Sequence, residues 1–297
     1  MSGVEGRSTI VTGAGRGLGR AHALRLAQSG ALVVVNDPGV GKEGGGGNDA
    51  TPAQDVVREI TEAGGTAVAD HHDISTEEGA LGVVKTAIDA FGRIEVVVNN
   101  AGILRDSTFH KMTVDQWMAV SKVHLDGTAL VTHAAWPHLR EQKYGRVVVT
   151  TSGAGLYGNF GQANYAAAKM GVVGLINTLA LEGARYGIRC NAIAPVAITR
   201  MTDGLLDSGN DLDPRWVASA VGWLCTEECE LTGEIFRVNG PHFSRVRMLE
   251  SAGVDFTEFP SDDELAARWA EISDMSAAKD GRPAVAVARD NRASSGG

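Results

Sequence analysis

Ser152, Tyr165 and Lys169 are the residues whose types and spacing most directly suggest chemistry. Tyr165 and Lys169 stand four apart in Tyr-Ala-Ala-Ala-Lys, so a helix would carry both on one face. An ammonium beside a phenol favours the phenolate, which would equip Tyr165 as a general base near neutral pH. Ser152, thirteen residues upstream, ends an apolar run and can hydrogen-bond an oxygen on which charge develops. The set suits proton abstraction from a hydroxyl group. Tyr-x-x-x-Lys alone is a common helical spacing, so its weight depends on what accompanies it.

A second constellation lies near the N-terminus. Gly13, Gly15, Gly17 and Gly19 fall in TGAGRGLG, between a β-branched run at 9–12 and a helical pattern at 19–29. Glycines at such a turn let the backbone approach a pyrophosphate closely, while the helix end attracts it with free N–H groups and its dipole. Arg16 and Leu18 complete the turn. Asp37 closes the next strand, about 20 residues on, where a carboxylate can accept from the adenosine ribose hydroxyls. That carboxylate would repel a 2′-phosphate, so NAD is expected over NADP, although Arg16 could pair with such a phosphate. Asp73, with Ile74 beside it, follows the third strand, either reaching an adenine amino group or capping the helix after Ser75. Asn99, Asn100, Ala101 and Gly102 close the fourth strand, where an Asn side chain can tie strand ends together and line a nucleotide cleft.

These residues need a frame that collects strand ends. Apolar, β-branched runs at 9–12, 31–36, 66–69, 94–98, 146–151, 188–193 and 234–238 predict seven strands, with helical patterns between them. Thr51 with Gln54, Ser75 with Glu78, and Thr113 with Gln116 have capping-box spacing, and Gly64 and Gly92 are helix stops. Continuous runs such as Val96, Val97 and Val98 suit a parallel sheet covered on both faces. The expected fold is α/β: a single doubly wound Rossmann domain, its seven-stranded, mostly parallel sheet flanked by helices on both faces, plus a C-terminal helical extension. The expected domains are a dinucleotide-binding domain at 1–240, a helical extension packed on it at 241–280, and a disordered tail at 281–297. Within the extension, residues 261–275 predict one amphipathic helix with Leu265, Trp269 and Ile272 on a face. Residues 38–48 form a glycine-rich insertion expected to be a flexible loop.

Composition narrows the function. The chain has 297 residues, 43% hydrophobic, with 27 Lys and Arg against 36 Asp and Glu, a net charge of −9. That balance disfavours a phosphate-tracking surface, so no nucleic-acid partner is expected. No apolar run reaches the roughly 18 to 20 residues of a membrane span, and MSGVEGR has no signal-peptide core. A cytoplasmic protein without a membrane partner is expected. Cys190, Cys225 and Cys229 form no even framework, and Cys225 and Cys229 are expected to share a helix face as packed thiols. His71 and His72 adjoin on a loop and lack a third ligand, so no metal site is expected.

TGAGRGLG, NNAG, Ser152 and YAAAK, in that order, resemble the short-chain dehydrogenase/reductase family over residues 6–240. The resemblance implies a single Rossmann sheet of order 3-2-1-4-5-6-7 and an NAD-linked oxidoreductase. It implies that Tyr165 is the catalytic acid/base, that Lys169 also binds the nicotinamide ribose, and that Ser152 orients substrate. It places Pro195, Ile198 and Thr199 against the nicotinamide, with Tyr165, Lys169 and the glycine, Asp37, Asp73, Ile74 and Asn100 to Gly102 positions completing the cofactor site. NNAGILRDSTFHKM, VHLDG, YGNFGQANYAAAK and DELAARWAEISDM are similar to the family's (3R)-hydroxyacyl-CoA dehydrogenases, which occur as one domain of larger multifunctional enzymes. An acyl-CoA is therefore the expected small-molecule substrate, in a free-standing dehydrogenase that forms a homodimer or homotetramer. A different alcohol, a hydroxysteroid or a 3-ketoacyl carrier is the alternative substrate, and a silent nucleotide-binding scaffold the remote one. Two departures stand out: His124 occupies a position where many members hold Asn, and Pro195-Val196 replaces the usual Pro-Gly. Arg245 and Arg247 could touch a CoA phosphate.

Overall fold

The computed structural model describes residues 3–41, 43–45, 49–197 and 212–281. It divides into two compact units, one ending at Arg245 and the other beginning at Val246. The first is built on β1 (Ser8–Thr12), β2 (Leu32–Asn36), β3 (Thr66–Asp70), β4 (Val96–Asn99), β5 (Gly145–Thr150), β6 (Ile188–Val196), β7 (Ile235–Asn239) and β8 (His242–Val246). Their order in one sheet is β3-β2-β1-β4-β5-β6-β7-β8. The first seven run parallel, with registers such as Val11 beside Val35 and Val98. The eighth strand exceeds the seven expected. Its two-residue connection from β7 leaves room only for an antiparallel hairpin, so the sheet continues past Gly240 into the segment assigned to the extension.

Val96, Val97 and Val98 are fully buried because helices cover both faces. Helix α1 (Gly17–Gln28) packs against α2 (Thr51–Glu62) and α8 (Pro214–Leu224) on one face. On the other, α3 (Glu77–Phe91) packs against α5 (Gly127–Gln142), and α4 (Val114–Ser121) against α7 (Ala163–Gly183). Each fully buried Val, Leu or Ile contributes about 1.5–3 kcal/mol of transfer free energy. A short α6 (Gly153–Tyr157) follows β5.

Capping was legible in part. Thr113 and Gln116 form the reciprocal box, and Gly92 ends α3 in the left-handed region. Thr51 caps nothing: it is the first residue of α2, Ala50 holds the N-cap position without a side-chain cap, and Asp49 Oδ1 accepts from Thr51 N–H. Thr76, not Ser75, caps α3 by accepting from Gly79 N–H. Nor do Cys225 and Cys229 share a helix, because α8 stops at Leu224; both are buried beyond it. Burial pushes the Cys190 thiol up to about 12 and raises Cys225 as well.

In the second unit, α9 (Asp262–Ile272) carries the Ser261–Glu264 capping box, and Arg268 lies 5.1 Å from the Phe256 ring centroid. Strands β9 (Leu249–Glu250) and β10 (Lys279–Asp280) pair antiparallel. The tail expected to be disordered, from 282 onward, lies outside the described residues.

Candidate active site

A cavity of about 950 Å3 opens along the carboxyl ends of the parallel strands, where the strand order reverses between β1 and β4. Every candidate site residue from the sequence that is described lines it except Gly19. Ile198 and Thr199 lie outside the described residues.

The nucleotide half is built around β1 and its turn. Gly13 has φ +63°, and a Cβ there would stand 2.8 Å from Ala101 Cα. A Cβ on Gly19 would stand 2.1 Å from Gly13 O, so only glycine lets α1 pack onto the turn. No side chain caps the first turn of α1 and no acid lies in it, which leaves its N–H groups and dipole for an anion. Asp37 faces the same space while Oδ2 accepts from Gly15 N–H at 2.9 Å and Oδ1 from Gly39 N–H at 2.8 Å. Each oxygen keeps a lone pair for another donor. Arg16 pairs with Asp49 at 3.7 Å. Asp73 lines the cavity; it does not cap α3, since Thr76 does, and its Oδ1 accepts from Ser75 N–H at 2.9 Å in the turn before that helix. The glycine cradle, the uncapped helix end and the facing carboxylate fit a dinucleotide.

Asn100 ties the strand ends, donating to Thr12 O at 3.1 Å and Gly13 O at 3.3 Å. Thr12, which sequence reasoning passed over, accepts from Asn100 N–H and Ala101 N–H through its hydroxyl. Asn99 turns away and donates to Thr132. Among the described residues of the glycine-rich insertion, Gly41 and Gly44 line the cavity, and Glu43 O accepts from Arg105 Nε at 2.8 Å.

At the other end, Ser152 closes β5 and starts α6, accepting from Ala154 N–H at 3.1 Å. Helix α7 carries Tyr165 and Lys169 to the same wall, with Lys169 Nζ 5.7 Å from the Tyr165 ring centroid. Asn164, fully buried, anchors the start of this helix by donating to Arg105 O and Gln116 O. Lys169 Nζ donates to Thr150 O at 2.5 Å, and Thr151 Oγ1 donates back to Lys169 O at 2.6 Å. Burial holds the Tyr165 phenol above its ordinary value, with Ser152 acting against that rise and Asp106 adding to it. Burial brings Lys169 down to about 7.

His124 also reaches this wall, from a π-helical turn (Lys122–Asp126) that links α4 to α5. Tyr157, Lys122 and Arg237 also line this half and were not singled out by sequence reasoning. Arg237 had one usable signal, a cation on an otherwise apolar strand. Arg245 and Arg247, weighed for a phosphate, instead pair with Glu234 and Asp280. His72 Nδ1 lies 2.7 Å from Asp70 Oδ2. Among the described residues, no helix is long and apolar enough to cross a membrane.

A doubly wound sheet with a glycine turn and a ligand-sized cleft at its switch point defines a nucleotide-binding α/β protein of the Rossmann type. Residues 7–208 match the profile described as short chain dehydrogenase, and the chain belongs to that family of oxidoreductases, whose members generally bind NAD or NADP. A short-chain type dehydrogenase/reductase of Mycobacterium tuberculosis is 55% identical over 94% of this chain and 98% of its own. Peroxisomal multifunctional enzyme type 2 of Mus musculus is 50% identical over 84% of this chain, which spans only 34% of that enzyme. The crystal structure of a short chain dehydrogenase from Mycobacterium avium superposes with TM-score 0.81 at 41% identity, over 91% of this chain and 95% of that one. The full-length peroxisomal multifunctional enzyme type 2 of Drosophila melanogaster gives 0.80 at 38% identity, over 98% of this chain and 49% of that one.

Proposed function

We propose that this protein is an NAD-dependent dehydrogenase that oxidises a secondary alcohol to a ketone, with a (3R)-3-hydroxyacyl-CoA as substrate and the 3-ketoacyl-CoA as product. The observation that carries the reading is the convergence of Ser152, Tyr165 and Lys169 on the cavity that also holds the glycine turn and Asp37. The similarity to the dehydrogenase-containing peroxisomal enzymes supports the substrate class.

A bound NAD would supply the hydride acceptor. Gly13, Gly17 and the first turn of α1 would hold its pyrophosphate, Asp37 its adenosine ribose, and Lys169 its nicotinamide ribose. Tyr165 takes the hydroxyl proton as the C3–H bond gives up its hydride, so the carbinol loses two electrons and two hydrogens and becomes the carbonyl. Ser152 donates to the reacting oxygen and holds it against Tyr165. Thr150 O holds the Lys169 ammonium in the wall, which keeps its donors aimed at one place. The protein is proposed to act as a homodimer or homotetramer through the helices at about 113–140 (α4 and α5) and 162–185 (α7), where Val114, Met118 and Leu181 leave apolar side chains exposed.

The test is NADH absorbance after mixing the protein with NAD and a panel of (3R)- and (3S)-hydroxyacyl-CoAs, free alcohols and hydroxysteroids, beside NADP. Turnover confined to (3R)-hydroxyacyl-CoAs with NAD is expected. Activity on free alcohols alone would overturn the substrate class. Tyr165→Phe should lose about 10²-fold or more in rate while still binding NAD; ordinary activity in that variant would remove Tyr165 from its role.

A further inference from the structure

The charged groups lining the cavity are segregated. Its lining carboxylates, Asp37 and Asp73, both lie in the nucleotide half, with Arg16. The half around Ser152 and Tyr165 is lined by Arg105, Lys122 and Arg237 and, among the described residues, by no carboxylate. In a chain of net charge −9, this local excess of cations runs against the average surface.

Arg237 is the most constrained of the three. It lies on β7 in register with Ala194 of β6, two strands from Thr150, so the sheet fixes its backbone. It is half-buried. Its guanidinium carbon stands 5.6 Å from the centroid of the Tyr157 ring, at the end of α6. Among the described residues no carboxylate pairs with it. Lys122, by contrast, is exposed, and Arg105 is committed to Glu43 O. A half-buried guanidinium that has an aromatic face beside it but no anion keeps its planar fork of donors unused, and that fork matches a carboxylate or phosphate.

We infer that Arg237, held beside Tyr157, recognises an oxyanion carried by the substrate at some distance from the reacting carbon. Tyr157 is five residues beyond Ser152, which a helix converts to about 7.5 Å of rise. An anion at Arg237 is therefore several bonds removed from the carbinol. A carboxylate on the acyl part and a phosphate on its carrier both meet that chemistry. The inference rests on the reading that substrate enters the Ser152–Tyr165 half, but it does not require turnover.

The experiment is a calorimetric titration of the whole chain, with the nucleotide half filled by excess NADH. Coenzyme A is the phosphate probe and adipate the carboxylate probe. Wild type is expected to bind at least one of them, Arg237→Met to weaken that binding by tenfold or more, and Arg237→Lys to fall between. Tyr157→Leu should weaken it by several-fold. Loss of coenzyme A binding assigns the anion to the carrier, and loss of adipate binding assigns it to the acyl part. Arg237→Met binding both probes as tightly as wild type, or wild type binding neither, would overturn the inference. Arg237-dependent coenzyme A binding alongside no turnover of hydroxyacyl-CoAs would uphold the inference while overturning the proposed reaction.

Discussion

The His124 imidazole stands edge-on to the Tyr165 ring, with centroids 5.1 Å apart and planes at 89°. Nε2 of the same imidazole lies 2.8 Å from Ile103 O and 3.0 Å from Ile103 N, so the loop after β4 holds the ring in place. Burial, with the Lys169 charge adding to it, keeps its pKa well below the ordinary value, and the ring is neutral at working pH. The π-helical turn brings His124 there, and the expected role of the ring is to position the phenol. Edge-to-face pairs contribute about 0.5–1.5 kcal/mol beyond burial. His124→Ala should therefore lower kcat by about 2- to 10-fold with little change in NADH affinity, measured by steady-state kinetics beside fluorescence titration. A Cβ at Gly102 would fall 2.2 Å from His124 Cε1, so Gly102→Ala should displace the ring and reproduce the kcat loss without touching the imidazole chemically.

Asp37 should set cofactor choice. Asp37→Asn keeps an acceptor near Gly15 N–H and Gly39 N–H but removes the charge that repels a 2′-phosphate. The ratio of NADP to NAD dissociation constants should fall by about tenfold, or roughly 1.4 kcal/mol. Equal ratios in the variant and wild type would show that Arg16 or another group governs the choice.

The buried phenol makes alcohol oxidation pH-dependent in a definite direction. Tyr165 has its pKa raised by burial, so the phenolate that accepts the proton becomes more populated as pH rises toward and beyond about 10. kcat/KM for oxidation should climb from neutral to alkaline pH, while ketone reduction, which needs the phenol, should stay level until the pH approaches the raised Tyr165 value and decline only beyond it. A flat oxidation profile would contradict a Tyr165 base.

Lys169 predicts a stability profile. Its pKa is lowered from 10.5 to about 7 by burial, so the folded state disfavours the ammonium that the unfolded chain retains. The cost is full below about pH 7 and is relieved as pH rises from there to about 10.5, because the unfolded state then binds more protons. Relative to Lys169→Met, wild type should gain on the order of 1 kcal/mol per pH unit across that window, read by urea unfolding at each pH. A difference independent of pH would place the folded-state value near the unfolded one.

Much of this protein was written locally. The apolar runs, the glycine turn, Asp37 at a strand end and the Tyr165–Lys169 spacing each depend on neighbours within a few residues, so sequence alone determined the seven parallel strands, while their order in the sheet came from the family resemblance. It also determined which side chains would face the strand ends, since a parallel sheet with right-handed crossovers puts every carboxyl end on one edge. The eighth strand was not legible, because His242 and Phe243 are largely exposed and leave no apolar pattern. Thr51 and Ser75 have the types and spacing of caps, yet Ala50 and Thr76 hold the cap positions, since the start of a helix follows from how it docks rather than from its own residues.

Tertiary structure alone decided the rest. His124 and Tyr165 lie 41 positions apart, and only the packing of α4, α5 and α7 brings their rings together. Arg237 reaches the cavity because β7 lies beside β6, whose end forms its wall, and nothing near Arg237 in the chain hints at Tyr157. The electrostatics of Tyr165 and Lys169 are tertiary for the same reason: their spacing on a helix brings them close, but the burial that raises the one and lowers the other depends on the atoms that close over the pair, and those come from distant strands and loops.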